Sequence, residues 1–557
     1  MAISETLSKV ISEAVEALNF PNVSFAVEHP SDISHGDYAT NVALILGKNL
    51  VKNPKEVAEL IVSELNNKNI EYVESFEVAG PGFINIRLSR QFFADSLKNI
   101  LEQKNYFGKN NIYAGKKVLV EYTSPNLFKP LHIGNLMSNI VGESLSRLIE
   151  AGGAEVKRIN YPSDIGLTVA KGVWALRKNG GNPDDISALG NAYKEGNTAY
   201  EEDESAKKEI EAVNKALYED SDPELSSLRK KGIETSKKHL NGLCEILGTA
   251  FDFEIFESQS SPVGKSIVEN HINDGIFERG DGAIIFRGEK FGLHTRVFIN
   301  AMGLPTYEAK DIGLIDLKRK LYDFDLSITT TAVEQLEYFK VLIKAIEKVF
   351  PELSEKVKHI PYGFLTLKSG KMSSRKGNVI TAESLISDLK EKALEKMAGQ
   401  DIGDKDETAL SVAVSAIKYS VLKQSTGKNV IFDEESSLSF HGDSGPYLQY
   451  TAVRGRSVLN KASKYEIGNT LPLEVSFLER LLYRFGEVIK RAQREYEPHY
   501  VASFITEVAS AFNTYYSQNK IIDDSPESSY RLALTEATEI VIKNGLNLLG
   551  ISVPDKM

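Results

Sequence analysis

Lys117-Val-Leu-Val-Glu121, the loop Tyr122-Thr-Ser-Pro-Asn-Leu-Phe-Lys-Pro-Leu131, His132-Ile-Gly-Asn135 and Val156-Lys-Arg-Ile-Asn-Tyr161 decide how this chain folds. The first segment is a short apolar run with β-branched residues, which reads as a strand. The loop carries Pro125 and Pro130 among small polar residues, a composition that breaks regular structure. Gly134 to Ile149 has helical periodicity, and Gly152-Gly153 supplies its stop. Val156 to Tyr161 is the next strand. Strand, loop, helix and strand within about 45 residues make a βαβ unit, so the expected class is α/β with a parallel, Rossmann-type sheet.

On the N-terminal side, residues 1–110 mix amphipathic helical stretches (Ser4–Leu18 and Pro54–Leu65) with the alternating run Phe83–Leu88. Gly80-Pro81-Gly82 is a turn signal that starts that run. A small α+β domain is expected there. On the C-terminal side, residues 115–405 are expected to form the α/β domain, interrupted by a helical insertion at about 171–247. Further strand signals lie at Ala283–Arg287 and Arg296–Asn300, and a second α/β stretch at Leu326–Val349. From about Ser411 helical patterns dominate, so 410–557 is expected to be an all-α bundle.

The chain has 557 residues, 42% hydrophobic and 26% charged. At roughly 100–200 residues per domain this allows several sizeable cores. No run of about 18 apolar residues occurs, so no membrane-spanning helix is expected. The first residues, Met1 to Leu18, include acids and lack a long apolar stretch, against a signal peptide. The single cysteine, Cys244, excludes an intramolecular disulfide and a Cys-rich zinc site, and no metal site is expected. A cytoplasmic location follows as the expectation.

The net charge of −11 argues at face value against nucleic acid as a partner. Segment by segment the charge is uneven. Glu201 to Glu224 holds ten acids and three lysines, and the bland reading is a solvated helical face. Arg454 to Arg494 holds nine Lys/Arg and four acids, with Tyr465, Tyr483 and Phe485 among them. A basic helical face with aromatics suits an unstacked RNA loop, although many such rings must be core.

Doubly wound sheets bind ligands in the loop after the first strand, at a helix N-terminus rich in free N–H groups. Lys129, His132, Gly134 and Asn135 fall there. Gly134 admits close approach of a nucleotide, and His132 and Asn135, three apart, can face one pocket. Taken singly, His132 would read as an ordinary loop histidine. A second cluster, Lys368-Ser-Gly-Lys371-Met372-Ser373-Ser-Arg375-Lys376-Gly377, places four cations in nine residues. It could close over a triphosphate, or alone could be a solvated basic turn.

Taken in order, His132-Ile-Gly-Asn135 and Lys371-Met-Ser-Ser374 resemble the paired HIGH and KMSKS signatures of class I aminoacyl-tRNA synthetases. Ser124-Pro-Asn126, Lys129-Pro-Leu-His132, Tyr307-Glu-Ala-Lys-Asp311-Ile-Gly and Lys371-Met-Ser-Ser-Arg-Lys-Gly-Asn378 are similar to the arginyl-tRNA synthetase family in particular. His35-Gly-Asp-Tyr-Ala-Thr-Asn-Val-Ala43 with Gly80-Pro-Gly-Phe-Ile-Asn-Ile86 resembles that family's added N-terminal domain. Tyr447-Leu-Gln-Tyr-Thr-Ala-Val-Arg454 resembles the opening of its helical anticodon-binding domain.

The resemblance implies a ligase that uses ATP, with Mg2+ bound through the ATP phosphates, to join L-arginine to the 3′ end of its tRNA through an arginyl-adenylate. It implies His132, Gly134, Asn135, Lys371 and Met372 at ATP. It implies His132, Asn135, Lys129, Lys371, Ser373 and Arg375 in catalysis. Glu121, Ser124, Asn126, Tyr307, Asp311 and Gln335 would bind arginine, and Tyr447, Gln449, Arg454 and Arg456 would contact tRNA. A monomer is expected. Carboxylates suit a guanidinium, which is planar, always charged and bound in a two-pronged fashion. Three departures stand out: Asn135 replaces the last histidine of HIGH, Ser374 replaces the second lysine of KMSKS, and Asp164-Ile-Gly166 lacks the family's Trp between Asp and Gly. The first two motivate a catalytically dead tRNA-binding paralogue as one alternative; another class I synthetase, for cysteine or glutamine, is the other.

Overall fold

The computed structural model describes residues 3–368, 380–399, 403–462 and 471–557. The basic loop with Lys371, Met372, Ser373 and Arg375 lies outside the described residues, as do Lys464, Tyr465 and Glu466. The chain forms two compact units, one of Met1–Phe107, Gly455–Arg484 and Ala511–Ile540, the other of Gly108–Arg454, Phe485–Ser510 and Val541–Met557.

The first unit contains an antiparallel sheet of strands β1 (Val27–Glu28), β2 (Tyr38–Thr40), β3 (Val73–Ala79) and β4 (Phe83–Leu88), in the order β1-β2-β4-β3. β4 buries Ile84, Ile86 and Leu88, every second residue, as its alternation predicts for a sheet packed on one face. Helices Ile3–Ala17 and Pro54–Asn66 cover it through Leu7, Ile11, Val57 and Ile61. Part of the basic segment is consumed by structure here. Arg480 is paired with the buried Asp37, Arg90 lies 2.8 Å from Glu479, and Arg456 lies 2.9 Å from Glu539. Tyr483 packs edge-on against Phe92, with ring centroids 5.0 Å apart.

The second unit is built on a parallel sheet of β5 (Lys117–Glu121), β6 (Glu155–Asn160), β7 (Phe253–Glu254), β11 (Leu326–Ala332) and β12 (Val357–Tyr362), in the order β12-β11-β5-β6-β7. A small antiparallel sheet intervenes in sequence, β8 (Glu278–Gly280), β9 (Ala283–Phe286) and β10 (Arg296–Ile299), and β13 (Leu365–Leu367) pairs with β14 (Val430–Phe432). β5 is central and buries Val118 to Glu121 without alternation, because helices cover both faces. The strand order diverges on either side of β5, which puts the ligand crevice at its C-terminal end.

The helix Ile133–Ala151 follows the loop after β5 and is embedded, with fourteen buried residues. Its far end is tied down by the fully buried Gln493, whose Nε2 donates to the Leu148 carbonyl over 2.8 Å while its Oε1 accepts from Asn110 over 2.9 Å. The insertion is helical as expected, with helices Leu167–Asn179, Ile186–Glu202, Glu204–Glu219 and Pro223–Ile246. Its core gathers Phe128, Val173, Trp174, Leu189, Ile210 and Val213. Of its acids, Asp203 and Asp222 cap the last two helices, and most others lie on solvated faces. Among the described residues no helix is long and apolar enough to cross a membrane.

Helices Glu257–Asn270 and Tyr307–Leu321 cross at facing glycines. A Cβ on Gly264 would sit 1.8 Å from the Ala309 carbonyl oxygen, and one on Gly313 would sit 2.1 Å from that of Ser260. The backbones touch there, and this fixes the carboxylates that the two helices carry. Gly264→Ala is therefore expected to destabilise the protein by about 3 kcal/mol, the upper range for overpacking, because no flexible side chain can yield. Thermal or urea unfolding measures this; an unchanged midpoint would mean that the helices part freely.

Candidate active site

The loop between β5 and the helix Ile133–Ala151 is conformationally strained. Thr123, Ser124 and Phe128 all have positive φ, at 71°, 37° and 69°. Left-handed non-glycine residues cost roughly 1–3 kcal/mol each and persist where the surroundings over-determine them. Those surroundings are present. Thr123 N–H donates to Ser138 Oγ over 2.9 Å, and Asn139 Nδ2 donates to Thr123 Oγ1 over 3.1 Å. The Phe128 ring is fully buried, within reach of Gly172 and Gly232, where added Cβ atoms would strike it.

His132 is the N-cap of the helix. Its Nδ1 accepts from the Gly134 N–H over 3.0 Å, and its own N–H donates to Asn135 Oδ1 over 3.2 Å, a reciprocal capping box. Burial, reinforced by the charge of Lys129, lowers the imidazole pKa below its usual value. The ring is thus neutral near pH 7, and because Nδ1 is the acceptor its proton sits on Nε2, which is left as a donor. Asn135 Nδ2 donates to the Thr123 carbonyl over 3.4 Å. The residue that departs from the HIGH pattern therefore braces the loop through its backbone. Burial lowers the Lys129 pKa, and its ammonium lies 5.3 Å from the Tyr193 ring centroid. The segment beyond the basic loop returns to this place, since Thr381 bridges His132 and the Ala382 N–H donates to the Leu131 carbonyl over 2.9 Å.

A second group lies at the same C-terminal edge of the sheet. Glu121, last in β5 and 5% exposed, pairs with the Nζ of Lys318 and accepts from Thr329 Oγ1 over 3.2 Å. Glu257, 4% exposed, lies 2.6 Å from the Nζ of Lys310. Asp311 accepts from the Tyr338 hydroxyl over 2.5 Å. Burial, helped by the charges of Glu121 and Glu257, raises the Asp311 carboxyl to about 8. Tyr161, whose hydroxyl is 2.6 Å from Ser260 Oγ, is raised by burial and then by the charges of Glu257, Asp311 and Glu121, so these groups share one neighbourhood.

The remaining sequence candidates fall as follows. Ser124 Oγ accepts from the Tyr161 N–H over 3.3 Å. Asn126 bridges to Ser163 through its backbone. Tyr307 opens its helix one turn before Asp311 and is 58% exposed. Gln335 is exposed in the short turn Val333–Gln335 after β11. Gln449 is fully buried, and its Nε2 donates to Ser411 Oγ and to the Ser552 carbonyl, so in this structure it packs the interior side of its helix. Tyr447 and Arg454 are half-buried, with Arg454 stacked 4.8 Å from the Tyr450 ring centroid.

Sequence reasoning missed Glu257, Lys310, Lys318, Tyr161 and Tyr338. One signal was available: Tyr307, Asp311, Leu314 and Lys318 recur at four, three and four residues, so a lysine shares a helix face with the candidate acid. Among the described residues no group of three or more His, Cys, Asp or Glu is arranged to hold a metal ion.

Three family profiles match the chain: "tRNA synthetases class I (R), catalytic domain" over residues 96–434, "Arginyl tRNA synthetase N terminal domain" over 2–88 and "DALR anticodon binding domain" over 448–557. An arginine–tRNA ligase of Borrelia hermsii is 31% identical over 100% of this chain and 99% of its own length. One of Halothermothrix orenii is 32% identical over 99% of each chain. Among solved structures, Thermus thermophilus arginyl-tRNA synthetase superposes with a TM-score of 0.81 at 25% identity, covering all of both chains.

Proposed function

From the premise that this chain belongs to the arginyl-tRNA synthetase family, we propose that His132, Lys129 and the N-terminus of the helix Ile133–Ala151 receive the ATP phosphates, and that Asp311 receives the guanidinium of arginine. The protein is a class I arginine–tRNA ligase that charges its tRNA with L-arginine at the expense of ATP. The observation that carries the site assignment is the placement, at one edge of the sheet, of a capped helix N-terminus beside a buried acidic pocket.

In the first step the arginine carboxylate oxygen bonds to the α-phosphorus and the bond to pyrophosphate breaks. Neither a nucleophilic side chain nor a general base is required, so positioning and charge stabilisation supply the rate. The Nε2–H of His132 donates to a non-bridging oxygen of the α-phosphate as charge grows there, and the positive end of the helix dipole adds to it. Mg2+ bound to ATP as part of the substrate would supply screening of the phosphate charge. In the second step a ribose hydroxyl of the tRNA 3′ end takes the arginyl group and AMP leaves. Asn126 and Gln335 are assigned to the α-amino and carboxylate end of arginine, and Lys371, Ser373 and Arg375 to the pyrophosphate, on the strength of their motifs. Tyr447, Arg454 and Arg456 are assigned to tRNA on the same ground.

We assign residues 1–110 to an N-terminal tRNA-contacting domain, 115–405 to catalysis and 410–557 to the anticodon. A cytoplasmic monomer completes the proposal. Pyrophosphate exchange in the presence of ATP, arginine and cognate tRNA tests it, with tRNA included because the family it resembles typically requires tRNA for activation. Exchange that depends on arginine is the expected result. Absence of exchange would leave a tRNA-binding paralogue, and exchange supported equally by cysteine or glutamine would favour another class I specificity.

A further inference from the structure

The pocket described above contains more charge than one substrate side chain can satisfy. Glu121, Glu257 and Asp311 converge on it from β5, the helix Glu257–Asn270 and the helix Tyr307–Leu321. Three ionised carboxylates around one guanidinium, with Glu121 and Glu257 buried and Asp311 half-buried, would leave two charges uncompensated in a low-dielectric site. The chain supplies its own cations. Lys318 (2% exposed) pairs with Glu121 and reaches Ser327 Oγ at 3.4 Å, and Lys310 (4% exposed) lies 2.6 Å from Glu257. Lys310 also lies 5.1 Å from the Tyr307 ring centroid and 5.9 Å from that of Tyr218.

We propose that Lys318 and Lys310 are positioning residues for arginine recognition: they neutralise Glu121 and Glu257 internally and leave Asp311 as the single uncompensated carboxylate, so that the pocket accepts one positive charge. This rests on the assignment of Asp311 to the guanidinium made above. The groups facing Asp311 are Tyr307 and Lys318 from its own helix, Glu121 from β5, Glu257 from the crossing helix, Tyr161 after β6, and Tyr338, which in turn sees Glu308 and Arg296, while Lys310 acts through Glu257. Lys318 lowers the Asp311 carboxyl, while Glu121 and Glu257 raise it. Burial alone would lower Lys310, yet the Glu257 carboxylate beside it holds it above its ordinary value, as an ammonium. Both lysines are eight residues apart on one helix, so one element delivers both cations and the free carboxylate. Neither lysine touches the substrate; each acts through the acid it holds.

The test measures arginine KM against pH by tRNA-dependent pyrophosphate exchange, for the wild type, Lys318→Met, Lys318→Arg and Lys318→Met/Glu121→Gln. In Lys318→Met the charge of Glu121 is released next to Asp311, and the midpoint of the pH dependence should rise by about one unit, since neighbouring carboxylates resist sharing ionisation. Lys318→Arg should keep the wild-type midpoint, and the double variant, which removes both charges, should return to it. A merely structural lysine would lower thermal stability without moving that midpoint. An unmoved midpoint in a folded Lys318→Met, or a double variant displaced as far as the single one, overturns the proposal. Should Lys318→Met not fold, Lys310→Met with and without Glu257→Gln carries the same expectations and the same refutation. A wild type without arginine-dependent exchange overturns the ligase reading together with this one, whereas an active wild type with an unmoved variant overturns this one alone.

Discussion

Asp311→Asn is expected to raise the arginine KM on the order of a hundredfold while the ATP KM moves by less than about threefold. The magnitude follows from removing one partner of a desolvated ion pair, which costs about 3 kcal/mol, and every 1.4 kcal/mol is roughly tenfold. The asymmetry follows from geometry, because Asp311 sits with Glu121, Glu257, Tyr161 and Tyr338, whereas the helix N-terminus is capped by His132. Equal effects on both substrates would contradict the pocket assignment. The pH dependence supplies a second readout. The Asp311 carboxyl is raised to about 8 before substrate arrives, and the guanidinium requires it ionised, so arginine binding releases a proton. The wild-type arginine KM should fall as pH rises from about 6 to 8, by up to tenfold per unit, and the variant should lose that slope. Stability has the same origin and the opposite direction. A carboxyl that holds its proton more tightly when folded stabilises the native state below its unfolded pKa, and that contribution declines as pH rises towards 8.

His132→Ala should slow adenylate formation by about a hundredfold to a thousandfold, the range for loss of one preorganised donor to a developing anion, with tRNA affinity near normal. The same substitution removes the side-chain acceptor of the Gly134 N–H, and a lost N-cap costs about 1 kcal/mol. His132→Asn separates the two effects. Asparagine is a good N-cap, so it should restore most of the thermal stability while leaving exchange slow, because its amide occupies the cap instead of reaching the phosphate. A His132→Ala variant that binds tRNA poorly, or one whose exchange recovers fully with asparagine, would reduce His132 to a cap. Rapid-quench exchange and filter binding distinguish these outcomes.

The elements around the first motif were legible because they depend on neighbours in sequence. The run at Lys117, the proline-broken loop and the Gly152-Gly153 stop predict β5, the crevice and the helix to within a residue or two. The helix begins at Ile133, so that His132 stands outside it as the cap and not on its face. That shift of one residue changes the chemistry, since it commits Nδ1 to the backbone and frees Nε2. Asn135, read as a pocket residue, bonds the backbone of His132 and Thr123 at that helix start. Gln449 lay in a motif that resembled an RNA-contacting helix, and a motif carries no information on which side of its helix is covered.

The amino-acid sequence by itself determined the βαβ order, the ligand edge of the sheet, the resemblance across the whole chain and the basic segment that the net charge of −11 conceals. These follow from spacing, turn chemistry and composition, all local quantities. Only the tertiary structure decided which charges remain available. Glu121 is neutralised by a lysine 197 residues away and Glu257 by one 53 residues away, while Asp311 is left with a tyrosine. A lysine in a helix reads alike whether solvated or interred. The difference is made when Gly264 and Gly313 let two helices touch, and the pocket's electrostatics are set by that contact, which sequence spacing does not encode.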